Sequence, residues 1–477
     1  MAFALKRAQI LPVDVRRVIV VIPYLSIIEQ NARVYRDVFG NDAIAEHHSG
    51  VWSRDDEMEY AHPSTRLATE NWDAPIVVTT SVRFFESLFS NKPTDLRRVH
   101  NIARSVVILD EVQTLPRERV GPILSMMKQL AEQWHTTFLF CTATQPAFER
   151  KAEERHDPRW APGSLDEVIP EPQKLFGTLK RVEVTWPAVW RKTTWAELAC
   201  DVRRERQALV VVNTRKHALT LFRELRPAGS HVVHLSNNMC PAHRLERLRD
   251  INEMLRMGER CIVVATQLVE AGVDLDFPAV WRAMGPFDSI AQAAGRCDRE
   301  GKLTAALGRP GGRVVVFEPE ESQMPRGAYE EAAALTRALS GAGCLSIDVP
   351  DSVRNYFGRL YSGALDTGNI QALRRDLKFR SVAEQFAMID DATHSVVVPY
   401  HRHVQDALRA VTCGSITAFR KLQSYCVNLW EPDIRKGKAT GTVYRVRDGL
   451  ELWACREGLY DAETGLRLEP TADDLVF

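Results

Sequence analysis

Short β-branched apolar runs alternate along this chain with stretches whose apolar residues recur every third or fourth position. Val18–Ile22, Ile76-Val77-Val78, Val106–Leu109 and Phe138–Cys141 read as buried strands, the first stopped by Pro23. Met1–Ala8 reads as a short helical fragment, and Ser26–Val38 and Ile123–Trp134 carry helical spacing, as does the segment opening at Phe84, Phe85, Leu88 and Phe89. Residues 41–75 are polar and predict a loop and an amphipathic helix. Strands alternating with helices predict a parallel sheet covered on both faces. Residues 149–175 are charged, hold Pro158, Pro162, Pro170 and Pro172, and read as a boundary. The alternation then restarts: helix 194–206, strand Ala208–Val212, helix 216–225, strand 231–235, helix 242–256, strand 261–265. Residues 328–340 are alanine-rich and helical, a connector. Beyond about residue 350, Val396–Val398, Val443-Tyr444 and Leu452-Trp453 predict short strands of a smaller α+β module. The expectation is an α/β chain divided at 1–175, 176–325, 326–375 (linker helices) and 376–477.

A length of 477 residues fits about three domains. Lys+Arg and Asp+Glu are both 62, so nucleic acid would be held by local phosphate contacts and not by a global positive field. Nine scattered cysteines without a Cys-x-x-Cys predict reduced thiols and no zinc ribbon. No apolar run long enough to span a bilayer and no signal-peptide core is present, which predicts a cytoplasmic protein without a membrane partner.

Two stretches carry candidate chemistry. From Cys261 to Gly301, a buried strand leads to Thr266 and a polar turn holding Gly272 and Asp274. A second short strand, Val280-Trp281-Arg282, precedes a helix that Asp288 or Ser289 can cap. Gln292, Gly295, Arg296 and Arg299 then fall at i, i+3, i+4 and i+7, one face of that helix. The glycine implies a close approach, and the two guanidiniums suit polyphosphate. A surface helix with two solvated arginines has the same spacing. Asp110-Glu111 follow a buried strand, where open parallel sheets bind ligands. Such a pair can cap a helix, or the Asp can hold Mg²⁺ while the Glu orients the attacking water. Thr142-Ala143-Thr144 end the next strand.

The order of these stretches points to a two-domain nucleotide motor. ATP would sit in a cleft between the domains, with Asp110 (the metal ligand), Glu111, Arg296 and Arg299 catalytic. Gln292, Gly272, Asp274, Thr142 and Thr144 would complete the cofactor site. Thr79-Thr80 and Thr266, polar strand ends, would hold nucleic-acid phosphates.

With these residues in view, the chain resembles a superfamily 2 helicase, and more narrowly the helicase–nuclease of type I CRISPR systems. The matching stretches are Pro23–Gln30, Glu46–Ser49, Phe84–Phe89, Asp110–Pro116, Met239–Arg244, Thr266–Asp276 and Gln292–Gly301. Val382-Ala383-Glu384, Met388-Ile389-Asp390 and Leu422–Tyr425 resemble that family's accessory domain. The resemblance implies two tandem RecA-like domains, the first incomplete, plus a small α+β C-terminal module. It also implies ATP and Mg²⁺ as cofactors, and as partners single-stranded DNA and the RNA-guided surveillance complex. Pro23, Tyr24, Thr79, Thr80, Arg83, Asn213, Thr214 and Thr266 would line the DNA track. Ser81, Arg83 and Asp298 depart from the residues common in relatives.

The larger departure is the absence of an HD nuclease and of Gly-x-x-x-x-Gly-Lys-Ser/Thr: Gly301-Lys302 and Gly437-Lys438 are followed by Leu303 and Ala439. His156-Asp157 reads as a linker pair, and adjacent His47-His48 point to opposite faces of an extended chain. Phe3-Ala4-Leu5-Lys6 resembles the tail of the helix after the family's phosphate loop, so the sequence reads as beginning inside the ATP-binding domain, with apolar sheet surface exposed. Three readings are open: a subunit complemented by a separate polypeptide carrying the nuclease and phosphate loop, a truncated product, or a non-catalytic nucleic-acid-binding module.

Overall fold

The computed structural model describes every residue except 11–14, 24, 49–62, 155–156, 170, 188–190, 227–230, 364, 389–392 and 468–477. Tyr24 and His156, and the matches at Ser49 and Ile389-Asp390, therefore lie outside the described residues. Two compact units result: Met1–Val51, Glu57–Leu179 and Cys344–Asp390 form the first, and Lys180–Gly343 with Asp391–Phe477 the second.

The first unit is built on five parallel strands: β1 (Arg17–Ile22), β2 (Ile44–His47), β3 (Ile76–Thr80), β4 (Ser105–Asp110) and β5 (Thr137–Cys141), in the order β2-β3-β1-β4-β5. The runs Val18–Ile22, Ile76–Val78 and Val106–Leu109 are buried, as a sheet covered on both faces requires. Helices Leu25–Phe39, Ser81–Phe89 and Val120–Trp134 come after β1, β3 and β4. The Thr80 hydroxyl caps the second by accepting from the Arg83 amide.

Strand β2 lies where a loop was expected. Hydropathy hides it because its polar residues are internally satisfied: Glu46 pairs with Arg36 and with His48 at 2.7 Å, and His47 accepts the Trp72 indole N–H at 2.9 Å. Strand β5 is an edge strand, half-buried along its length. Its Phe140 packs edge-on against Phe148, 5.5 Å between ring centroids.

The Pro-rich segment is not a free linker. Arg159 is buried and ion-paired with Glu154 and Asp157 at 2.9 and 2.8 Å, and the Trp160 indole donates to the Leu124 carbonyl at 3.0 Å. The expected linker 326–375 is divided too. Helix Ala328–Gly341 belongs to the second unit, whereas Pro350–Leu360, Ile370–Arg375 and Phe379–Gln385 lie in the first, where Phe386 stacks on Phe89 at 3.8 Å.

The second unit repeats the plan with β6 (Val182–Thr185), β7 (Lys192–Thr193), β8 (Gln207–Val211), β9 (Val232–Leu235), β10 (Cys261–Ala265), β11 (Ala279–Ala283) and β12 (Gly312–Pro319). All pair in parallel, in the order β6-β12-β11-β8-β10-β9, and β7 joins β12. Beyond them, β13 (Thr393–Val397), β14 (Cys426–Trp430), β15 (Val443–Arg445) and β16 (Trp453–Cys455) make a small mixed sheet ordered β14-β13-β16-β15. The α/β reading with a small mixed module is thus the observed architecture. Among the described residues no helix is long and apolar enough to cross a membrane.

Burial sets one pH response. His234 on β9 is buried beside Phe222, 5.6 Å between rings, and neither ring nitrogen has a hydrogen-bond partner among the described residues. Burial pushes its pKa from 6.5 down to about 4. Between those values the unfolded chain binds a proton that the native one does not, so stability is lost as pH falls from 6.5 towards about 4. The penalty reaches on the order of 3 kcal/mol at the acidic end. Melting temperatures measured between pH 7.5 and about 4.5 should therefore fall less steeply for His234→Phe than for the parent chain.

Candidate nucleotide and nucleic-acid sites

In the first unit, Asp110 is the last residue of β4 and Glu111 turns the chain in the left-handed region, φ 48°. Neither carboxylate caps a helix: the chain runs on into a short turn, Val112–Thr114, without a side-chain cap. Burial and the neighbouring Glu111 both push the Asp110 carboxyl above its usual range. Asp110 accepts the Glu111 amide at 3.2 Å and forms no ion pair among the described residues. A half-buried carboxylate without a cation suits Mg²⁺, which takes one or two carboxylates and fills its sphere with water and phosphate oxygens. Among the described residues there is no group of three or more His, Cys, Asp or Glu that could cage a metal, so phosphate would have to complete the sphere.

Gln113, part of the Asp110–Pro116 match but given no role from the sequence, joins the two candidate stretches of this unit. Gln113 donates to the Glu111 carboxylate at 2.6 Å and accepts from the Thr142 hydroxyl. Thr142 also contacts the Thr144 carbonyl at 2.9 Å and receives the Thr144 amide at 3.1 Å. The acid pair and the strand end after β5 are thus one hydrogen-bonded chain. The signal for Gln113 was its place two residues beyond Glu111. Thr144 is buried, its hydroxyl without a partner among the described residues.

The expected DNA-track residues of this unit differ in what they leave free. Thr79 is fully buried, its hydroxyl donating to the His47 carbonyl at 2.7 Å. Thr80 is committed to its helix cap, and Pro23 and Arg83 are half-buried.

In the second unit, the helix expected to carry the arginines is shorter than its spacing suggested. It runs Phe287–Ala294, is preceded by Pro286 as its cap position in place of Asp288 or Ser289, and ends at Gly295. Only Gln292 stands on it; Arg296 and Arg299 lie in the turn beyond. The close approach expected at Gly295 is to carbonyls of its own helix, Gln292 and Ala291, and not to a neighbouring element. The periodicity misled because the turn continues into a backbone exchange with Phe277: its amide donates to the Arg296 carbonyl and its carbonyl accepts from Asp298, both at 2.9 Å.

That turn nevertheless brings predicted residues together. Arg296 is buried, donating to the Val269 and Glu270 carbonyls at 2.9 and 2.6 Å. Arg299 is half-exposed and pairs with Asp274 at 2.9 Å. Gly272, at φ 77°, makes the turn that carries the chain from Glu270 to Asp274. Thr266, the first residue after β10, is buried, its hydroxyl without a partner among the described residues. Thr214 caps helix Arg215–Leu225 by accepting the His217 amide at 3.1 Å. Asn213 is buried, its amide donating to the Met284 carbonyl at 2.7 Å and its oxygen accepting from Arg282 at 2.7 Å. Arg282, Glu270 and Tyr329, which complete that network, were not singled out. The visible signal was an arginine inside the apolar strand Val280-Trp281-Arg282.

Residues 1–152 match the family model for DEAD/DEAH box helicases, and residues 204–302 that of the CRISPR-associated nuclease/helicase Cas3, C-terminal. A curated CRISPR-associated nuclease/helicase Cas3 of Haloferax volcanii is 25% identical, the alignment covering 78% of this chain and 52% of that protein. This chain therefore spans about half the length of that relative. The crystal structure of T. fusca Cas3 with ATP superposes with a TM-score of 0.66 at 16% identity, over 94% of this chain and 64% of that one. A chain of a CRISPR RNA-guided surveillance complex in a pre-nicking state gives 0.56 at 15% identity, over 98% and 70%.

The threonines should separate by stability. Thr142→Val breaks bonds to Gln113 and Thr144 and should cost about 1–2 kcal/mol in chemical denaturation, whereas Thr144→Val and Thr266→Val remove unpaired hydroxyls and should be neutral or stabilising.

Proposed function

Because the chain is a relative of the CRISPR-associated Cas3 helicases, we propose that it is the helicase portion of a type I CRISPR effector, moving on and unwinding DNA for degradation in antiviral defence. Support comes from the Glu111–Gln113–Thr142 chain, the observation that carries the reading. It gives the strand-end carboxylates a wired connection to the next strand, as an element that senses the state of a phosphate would need. Asp110 would hold Mg²⁺, Glu111 would orient the attacking water, and Arg296 and Arg299 would stabilise charge on the transferring phosphoryl group. Arg296 would first have to leave the Val269 and Glu270 carbonyls. Mg²⁺ when bound would neutralise phosphate charge. Gln292, Gly272, Asp274, Thr142 and Thr144 would support the nucleotide. On the DNA side, Thr266, Pro23, Thr80, Arg83 and Thr214 would line the track, Thr80 and Thr214 through the amides of the helices they cap.

The 477 residues contain no Gly-x-x-x-x-Gly-Lys-Ser/Thr cradle. These residues by themselves would therefore hydrolyse ATP negligibly, and the chain would act in the cytoplasm alongside the RNA-guided surveillance complex; a separate polypeptide that supplies phosphate loop and nuclease is an alternative. A second reading, a nucleic-acid-binding module without catalysis, is favoured by the same missing cradle.

Single-stranded DNA binding, monitored by anisotropy of a labelled oligonucleotide, tests the shared part of both readings: micromolar or tighter binding that weakens with salt is expected. Thr266→Val should weaken it several-fold without lowering the melting temperature. In the same preparation, DNA-stimulated phosphate release should stay at background. Turnover that vanishes in Glu111→Gln would reject the ATPase-deficient reading.

A further inference from the structure

Arg282 stands inside β11 with its side chain wholly buried. Burying a guanidinium costs several kcal/mol unless charge and hydrogen bonds meet it. One terminal nitrogen donates to the Asn213 side-chain oxygen at 2.7 Å and to the Ala283 carbonyl at 2.8 Å. The other donates to the Tyr329 hydroxyl at 2.9 Å and lies 2.8 Å from the Glu270 carboxylate. Tyr329 in turn donates to the Asn213 oxygen at 2.9 Å, and Gln267 donates to the Asn213 carbonyl at 3.0 Å. Gly285 leaves room for this: a Cβ there would sit 2.8 Å from the Tyr329 hydroxyl and 3.1 Å from the guanidinium.

The partners come from separate elements. Asn213 lies just past β8, Gln267 and Glu270 belong to the loop after β10, and Tyr329 opens helix Ala328–Gly341. The loop is gripped twice: the Glu270 side chain by Arg282, and the Val269 and Glu270 carbonyls by Arg296. A buried ion pair adds little stability over well-packed apolar residues, but it does fix geometry, because each donor satisfies only one arrangement of acceptors.

We propose that Arg282, with Tyr329 and Asn213, is a positioning centre that locks the Thr266–Asp276 loop, so that Thr266 and the Arg296 guanidinium move in one register. Nucleic-acid grip and phosphate sensing are thereby coupled through a buried polar pivot, an inference that rests on the roles proposed above for Thr266 and Arg296. Asn213 serves in the pivot and does not touch DNA.

The full chain carrying Tyr329→Phe, and separately Arg282→Met, tests this by hydrogen-exchange mass spectrometry and by binding of labelled oligothymidine. Both variants should speed amide exchange in 266–276 and weaken DNA binding by about tenfold, an ordinary coupling strength. Exchange in β4 should be unchanged, and Tyr329→Phe should melt within about 2 °C of the parent. Thr266→Val added to Tyr329→Phe should weaken DNA binding no further, because the two act through one loop. Unchanged loop exchange, or additive losses of affinity, would overturn the proposal. If the parent chain binds no single-stranded DNA, the functional reading fails, and loop exchange still decides whether the pivot positions the loop.

Discussion

A parallel sheet covered on both faces excludes polar groups from its strands and gathers them at strand ends. The strands β4 and β10 of the two large sheets follow that constraint. Val106–Leu109 and Ile262–Ala265 are buried without interruption, and the first polar residues after them are Asp110 and Thr266. The chemistry of the molecule is therefore placed by its hydrophobic pattern. The strand interiors hold the sheet together, and the candidate residues stand at strand ends and in the turns beyond them.

Two buried charges inside strands stand beside an opposite charge, although the Arg282 Nε has no hydrogen-bond partner among the described residues. Arg282 in β11 meets Glu270, Asn213 and Tyr329, and Glu46 in β2 meets Arg36 and His48. Asp110 is the contrast. Burial and a neighbouring acid both raise its pKa, and among the described residues it forms no ion pair. A carboxylate so placed is destabilised in its charged form until a cation comes near it.

Legibility in the sequence tracked hydrophobic contrast. Uninterrupted runs such as Val18–Ile22 and Cys261–Ala265 were visible because nothing polar diluted them. β2 was missed because half its residues are polar and made apolar in effect by tertiary partners. β6 and β7 are short, and β6 has only one buried residue, so neither offers a strong period. Spacing put Gln292, Arg296 and Arg299 on one helix face, and a run of i, i+3, i+4 and i+7 cannot show that the chain leaves the helix at Gly295. Asn213 and Arg282 show the same limit from the other side. A polar residue beside a strand looks alike whether it faces a ligand or a buried partner, and only tertiary structure tells them apart.

The left-handed backbone of Glu111 has an evolutionary corollary. A residue with a Cβ is held there at a cost of about 1 kcal/mol or more, which glycine would not incur and asparagine would incur less. Variants enriched purely for thermal resistance should accumulate glycine or asparagine at this position, gaining robustness by discarding a carboxylate.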